Sequence, residues 1–266
     1  MRELWHLLLY QPLVNALIFL YQFFNNFGLS IIVLTLGIRL LLHPLTRSSM
    51  KATTRMRELS PELEKLKKKY GKDKQAYAKA QMDLYKQHGA NPAAGCLPQI
   101  VQIIVLIALY QAFIQVLRVD GDVIQKLNEV LYPSLQLPAE TVINTQFLYL
   151  DLGKPDVFSI SGIPIPLPGF FLIAAAVAQF ISSKMMTPAL TAAQKEAAKT
   201  PGKADDMATS MQSQMTYLFP LMTILIGYSF PSGLILYWLT FSVLMVVQQY
   251  FIGGWGGLEP WLRKLK

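Results

Sequence analysis

Residues 28–46, GLSIIVLTLGIRLLLHPLT, form an apolar run with one arginine inside it, Arg39. A charge at bilayer depth costs about 2.5–3.5 kcal/mol on insertion scales, so it is kept only where it meets water, protein or the interface. Counted from Gly28 at about 1.5 Å per residue, Arg39 falls about 16 Å into a span of about 30 Å. Thr35 stands four residues earlier on the same helical face, which puts a hydroxyl and a guanidinium on one polar stripe. The competing reading has Arg39 snorkel its head to a nearby interface, whose approach His43, Pro44 and Arg47 mark.

Composition places this run in a membrane protein. Of 266 residues, 53% are hydrophobic and 15% charged, with a mean hydropathy of +0.34, against about 25% charged in an average soluble domain. A polytopic membrane protein is expected, not a soluble enzyme. The single cysteine, Cys96, excludes an intrachain disulfide and reads as a small packed residue. There is no glycine-rich phosphate loop, no His/Cys cluster and no zinc pattern, and His6, His43 and His88 are scattered. No catalytic residue, metal or cofactor is expected.

The net charge of +8 is unevenly spread. Residues 47–88 hold twelve Lys and Arg against five Asp and Glu, a net of +7. Met56, Leu59, Leu63, Leu66 and Tyr70 follow the 3,4 spacing of a coiled-coil seam. Ser60-Pro61-Glu62 reads as a helix start, Gly71-Lys72-Asp73 breaks the pattern, and Tyr77, Ala80 and Leu84 resume it. The spacing predicts a helical hairpin standing in water. Most of its charge is a solvated face and a topology signal, which leaves direct nucleic-acid binding unsupported.

The pattern divides the chain as follows. Residues 1–26 are an N-terminal interfacial helix, because Gln11, Asn15 and Gln22 fall on one side of an otherwise apolar segment with Trp5, Tyr10 and Tyr21. Residues 27–46 are the first transmembrane helix, 47–92 the hairpin, 93–117 the second span and 118–167 an acidic loop. The third span is 168–186, followed by a polar loop over 187–213. The fourth and fifth spans, 214–230 and 233–252, turn at Phe230-Pro231-Ser232-Gly233, and 253–266 is a basic tail. The positive-inside rule puts the hairpin, the polar loop and the tail in the cytoplasm, and the N-terminus and the acidic loop outside. The spans carry no Asp or Glu, and the two halves show no inverted repeat, which weighs against a proton-coupled transporter. Polar groups within them are Thr35, Gln102, Gln179, Tyr237, Trp238, Gln248 and Gln249. Single amides in membrane helices often only tie helices together.

The order of these features resembles the YidC/Oxa/Alb family of membrane protein insertases. The resemblance rests on GIRLLLHPLT, SPELEKLKKKYGKDK, NPAAGCLPQIVQIIVLIALY, FLYLDLGKPD and FPLMTILIGYSFPSGLILYWLTFSVLMVVQQ, which together reach across nearly the whole chain. It implies an all-α membrane protein with five transmembrane helices around a hydrophilic groove open to the cytoplasm and to lipid. Arg39 matches the groove arginine, and Thr35 and Trp238 match positions near it; Gln102, Gln179 and Tyr237 are further candidates to contact substrate. The third and fifth spans would form an apolar path to lipid. Lys65, Lys67, Lys68, Lys69 and Lys72 of the hairpin would recruit anionic lipid, nascent chain or targeting partners. The implied partners are nascent membrane-protein clients and the bilayer, with the ribosome, signal recognition components and the Sec translocon as further candidates. The expected location is a prokaryotic plasma (inner) membrane. A large extracytoplasmic domain, a lipobox cysteine and a long ribosome-binding tail are absent from these 266 residues, so a minimal prokaryotic form is expected. An anion channel or small-molecule transporter using the same cation, and a chaperone serving another insertion machine, are the alternatives.

Overall fold

A computed structural model describes residues 2–70, 73–90, 97–117, 123–162, 164, 166–186 and 205–265. Helix dominates. The chain starts with α1 (Arg2–Trp5), passes through a π-helical turn at His6–Tyr10 and continues as α2 (Gln11–Phe24), which has Pro12 in its first turn. Two asparagines then end one helix and begin the next. Asn25 takes a left-handed conformation, φ 50°, and closes α2 through its N–H to the Tyr21 carbonyl. Asn26 accepts the Leu29 N–H on its side-chain oxygen at 2.9 Å, the N-cap arrangement its short polar side chain favours.

The next helix, α3 (Phe27–Glu58), runs unbroken for 32 residues through Pro44. The change of character at Thr46 is not a break in the helix: helical hydrogen bonding carries on through the basic residues, at the cost of the one bond that Pro44 cannot donate. Then come α4 (Ser60–Tyr70), α5 (Lys74–Gln87), α6 (Leu97–Leu117) and α7 (Val123–Asn128). Two short antiparallel ladders follow. β1 (Gln146–Phe147) pairs with β2 (Leu150–Asp151), and β3 (Val157–Phe158) pairs with β4 (Leu167–Pro168). The chain ends with α8 (Phe170–Met186), α9 (Asp205–Gly227), α10 (Ser232–Gly253) and α11 (Glu259–Leu265). Residues 205–213, expected as loop from their polarity, are the first turns of α9.

Residue contacts divide the chain into two units. The first comprises Met1–Leu41, Gln99–Val177 and Met222–Leu244. Its core is built from Leu17, Ile18, Phe27, Ile31, Leu109, Phe113, Leu172 and Tyr237. The polar stripe of α2 meets protein backbone. Gln11 and Asn15 donate to the Val130 carbonyl at 3.1 and 3.0 Å, Asn15 also accepts from the Tyr132 N–H at 2.6 Å, and Gln22 reaches the Leu135 carbonyl at 3.2 Å. The amides late in α6 tie helices together: Gln111 accepts from the Trp5 indole at 2.9 Å, and Gln115 accepts from the Tyr10 hydroxyl. α9 approaches α8 closely enough that a Cβ at Gly227 would collide with Leu172.

The second unit comprises Leu42–Pro98, Ala178–Leu221 and Met245–Lys266. Here Leu59 and Leu84 are buried together with Met56, Leu63, Leu66 and Tyr85 packed on them, so the seam residues of α4 meet α5. Asp73 caps α5 by accepting from Gln75 and Ala76 N–H at 3.0 and 3.1 Å. Ser60 lies inside the first turn of α4 and does not cap it, since the carbonyl of Leu59 already accepts from Glu62 and Leu63. Elsewhere in this unit, the Gln248 amide donates to Thr46 Oγ1 at 2.9 Å and meets His43 Nδ1 at 3.2 Å. Lys184 lies over the rings of Tyr217 and Trp261, with Phe180 beside both rings.

Among the described residues, three helical stretches are long and apolar enough to cross a membrane: Glu3–Phe24, Phe27–Met56 and Ser232–Gly253. Ile100–Val116, Phe170–Met186 and Thr216–Gly227 are shorter apolar helices.

Candidate functional site

Arg39 is the centre of the candidate site. It lies on the interior side of α3, 5% exposed, while Leu40 and Leu41, next to it in sequence, are exposed, Leu41 at 79%. The guanidinium carbon stands over the Phe241 ring of α10, 4.4 Å from its centroid. A cation over an aromatic face is held by the ring quadrupole, with about 2 kcal/mol available when both are desolvated. Tyr237, one turn before Phe241 and 1% exposed, is within electrostatic reach of Arg39 and close to the Gln102 amide of α6. Its hydroxyl and Gln102 Oε1 are nevertheless buried without a well-formed hydrogen bond. Such groups are costly to leave unmade.

The remaining expected contacts divide. Thr35 is buried, and its hydroxyl donates to the Ile31 carbonyl of its own helix at 2.6 Å. That bond uses its only proton, leaving an acceptor at most for a substrate. Trp238 is half-buried on α10. Gln179 is half-buried on α8 and belongs to the second unit, whereas Arg39, Gln102, Tyr237 and Trp238 belong to the first. In the hairpin, Lys65, Lys68 and Lys69 are exposed and Lys67 half-exposed. Lys68 pairs with Glu64 at 3.8 Å, and Lys69 lies over Tyr70. Lys72 and Cys96 lie outside the described residues.

Phe241 was not picked out from the sequence. Its signal was there: it follows Tyr237 by four residues, hence on the same face of α10. The segment FLYLDLGKPD likewise gains a structural account. Asp156, 3% exposed, accepts from the Leu172 N–H at 2.8 Å and from the Tyr149 hydroxyl at 3.0 Å. It thereby satisfies the N-terminus of α8, where an anion is favoured by the free N–H groups and the helix dipole. The carbonyls of Asp151, Leu152 and Lys154 accept from the Ser232 hydroxyl, the Gly233 N–H and the Ser232 N–H at the start of α10. The Asp151 side chain also accepts from Thr145 and the Gly153 N–H and pairs with Lys154 at 3.0 Å. Burial pushes the Asp151 carboxyl up, but Lys154 and these hydrogen bonds outweigh it and hold it below its ordinary value.

The arrangement has the means to hold an anion. Among the described residues no three His, Cys, Asp or Glu side chains cluster to hold a metal. The wider surface carries the same message. Leu29, Leu36 and Leu40 of α3, Ile103 and Ile107 of α6 and Ile173 and Val177 of α8 are exposed, whereas Asn15, Ser30, Arg39, Gln102 and Ser242 are buried. A water-soluble domain has the reverse distribution.

Comparison with known proteins agrees. The family described as 60Kd inner membrane protein matches residues 19–255. A protein of Fusobacterium nucleatum named membrane protein insertase YidC is 36% identical over 231 residues, which is 87% of this chain and 88% of that protein. One of Geobacter sulfurreducens with the same name is 31% identical over 248 residues; these are 93% of this chain but only 38% of the relative. Among solved structures, an active YidC insertase with its first transmembrane domain resolved has a TM-score of 0.53 at 25% identity, covering 91% of this chain and 45% of that one.

Proposed function

We propose a mechanism of membrane protein insertion for this chain, which belongs to the 60Kd inner membrane protein family. Its partners are nascent membrane proteins and the bilayer, and it is a multi-pass protein of the inner membrane. The observation that carries the mechanism is the buried Arg39, set among polar groups on a helix whose outer side is apolar. The place of its head over Phe241, near the middle of α10, favours this reading over a snorkelling arginine.

In this mechanism α3, α6, α8, α9 and α10 span the bilayer with the N-terminus outside and the tail and hairpin in the cytoplasm. The positive-inside distribution supports that topology, and the bonds from the polar stripe of α2 to Val130, Tyr132 and Leu135, in the loop that this topology puts outside, support a helix lying at the outer interface. A carboxylate in a short leading segment of a client displaces Phe241 from Arg39. The exchange is feasible where the charge-assisted hydrogen bonds of the carboxylate exceed the attraction of the ring, about 2 kcal/mol for a desolvated pair. Tyr237 and Gln102 offer hydrogen bonds to the passing polar segment. The membrane potential then draws the acid outward, at about 2.3 kcal/mol per charge per 100 mV. Transfer of the client helix into lipid adds about 25 cal/mol per Å² of apolar surface. No bond is made, so neither a nucleophile nor a cofactor is called for. The exposed lysines of α4 meet anionic lipid, client or targeting partners, among which the ribosome, signal recognition components and the Sec translocon are candidates.

The test uses the purified chain in liposomes with a single-span client that has an acidic leading tail. Protease protection should exceed that of empty liposomes. Arg39→Ala should lower it about tenfold, the equivalent of about 1.4 kcal/mol, with Arg39→Lys between the two because charge matters more than guanidinium geometry. Unchanged protection in Arg39→Ala would remove Arg39 from the mechanism. Protection no better than empty liposomes would overturn insertion by this chain alone.

A further inference from the structure

The β1–β2 hairpin turns on Leu148-Tyr149. Two-residue hairpin turns strongly prefer Asn, Asp or Gly, because the backbone must enter the left-handed region. Leu148 enters it, with φ 54°, and gains no packing in return: it is 77% exposed. An unfavourable residue at a turn tip, pointing away from the protein, calls for an external contact.

Its surroundings indicate which. Tyr149 stacks on Phe158 of β3, centroids 5.8 Å apart at 28°, and packs near Phe171 at 5.7 Å. The Tyr149 hydroxyl is fixed inward by Asp156. The tip therefore stands on a rigid aromatic base. Phe158, Ile160 and Leu167 are exposed beside it, and Phe170, at 67%, begins an exposed apolar row that continues through Ile173 and Val177 along α8. An apolar tip continuous with an apolar helix row fits lipid better than a protein partner, which would be expected to end at a polar rim. The aromatic content suits the headgroup level.

We propose that the two hairpins form an interfacial anchor, with Leu148 and Phe170 inserted into the bilayer leaflet at the N-terminal end of α8. The anchor rests on the reading of α8 as a membrane helix. It would fix the depth of that helix, because Asp156 joins the hairpins to its first turn.

The test places single cysteines at position 148, at Val177 on the α8 row and at the exposed Glu140, in a Cys96→Ser background. Each is coupled to an environment-sensitive dye in vesicles of phosphatidylcholine and phosphatidylglycerol. The expected result is that lipids brominated near the headgroup at least halve emission from 148, iodide leaves it unchanged, and Glu140 shows the opposite. Quenching of 148 by iodide and not by lipid, with Val177 still quenched by lipid, would overturn the anchor alone. Absence of lipid quenching at both 148 and Val177 would overturn the membrane reading of α8 as well. Because a dye could force its own insertion, Leu148→Asn is read in parallel. Asparagine suits the left-handed turn, so melting in detergent should hold or rise, while iodide access to a dye at Phe158 should increase in vesicles. Unchanged access at Phe158 would also overturn the anchor.

Discussion

The helices around Arg39 and the hairpin α4–α5 obey opposite rules. In the first, Arg39, Gln102 and Asn15 are inside and Leu36, Ile103 and Ile107 outside. In the second, Leu59 and Leu84 are inside and Lys65, Lys68 and Lys69 outside. Both follow one principle: a group stays where its environment solvates it. The difference fits surroundings that change from hydrocarbon to water along a single chain, and α3, continuous from Phe27 to Glu58, is where the proposed topology puts the change.

The sharpest way to break that contrast is to put the same charge on both exteriors. Ile107→Lys on α6 and Met82→Lys on α5 both replace an exposed apolar side chain. If Ile107 faces hydrocarbon, the first costs about 2.5–3.5 kcal/mol, whereas the second stays within about 0.5 kcal/mol, as surface changes in water do. Unfolding midpoints in nanodiscs decide it. Equal, small effects would mean that α6 shows its exposed side to water or protein.

Two capping carboxylates give the next contrast. Asp156 and Asp73 each accept N–H groups at a helix start, one buried and one exposed. Asp156→Ala leaves the buried Leu172 N–H without its acceptor and takes away the acceptor of the Tyr149 hydroxyl proton, and should cost about 2–3 kcal/mol. Asp73→Ala leaves groups that water can reach and should cost about 1 kcal/mol. A reversed order, measured by the same unfolding titration, would contradict the burial assigned to the two sites.

What was legible in the sequence follows from periodicity. Thr35 and Arg39 on one face of an apolar run, and Leu59, Leu63 and Leu66 at coiled-coil spacing, both repeat at helical intervals, so helix, buried side and hairpin seam could be read directly. The partners of the α2 stripe could not. Gln11, Asn15 and Gln22 were recognised as one polar side, but their acceptors are backbone carbonyls of Val130 and Leu135, which have no residue signature. The same holds for Asp151 to Lys154, whose carbonyls receive the first groups of α10. Phe241 was hidden for another reason. Its only signal was the four-residue spacing from Tyr237, a weak one on a helix as apolar as α10.

Asp151 gives the smallest effect and the most specific signature. It is partly exposed, between Asp73 and Asp156 in environment, and Lys154, Thr145 and Gly153 hold its carboxyl below its ordinary value against the effect of burial. A carboxylate depressed in the folded state adds stability above its unfolded value, about pH 4, and that stability fades as pH falls through the folded value. The Asp151→Asn chain should therefore melt slightly lower than wild type at neutral pH, by less than about 1 kcal/mol given the exposure of Lys154. The two melting curves should converge below about pH 4, because protonation makes the wild-type side chain neutral too. A gap that persists undiminished into acid would mean that the carboxylate's charge is not what ties this segment to α10. The shape of its oxygen acceptors would be enough, and Asp151 would belong with the backbone carbonyls beside it.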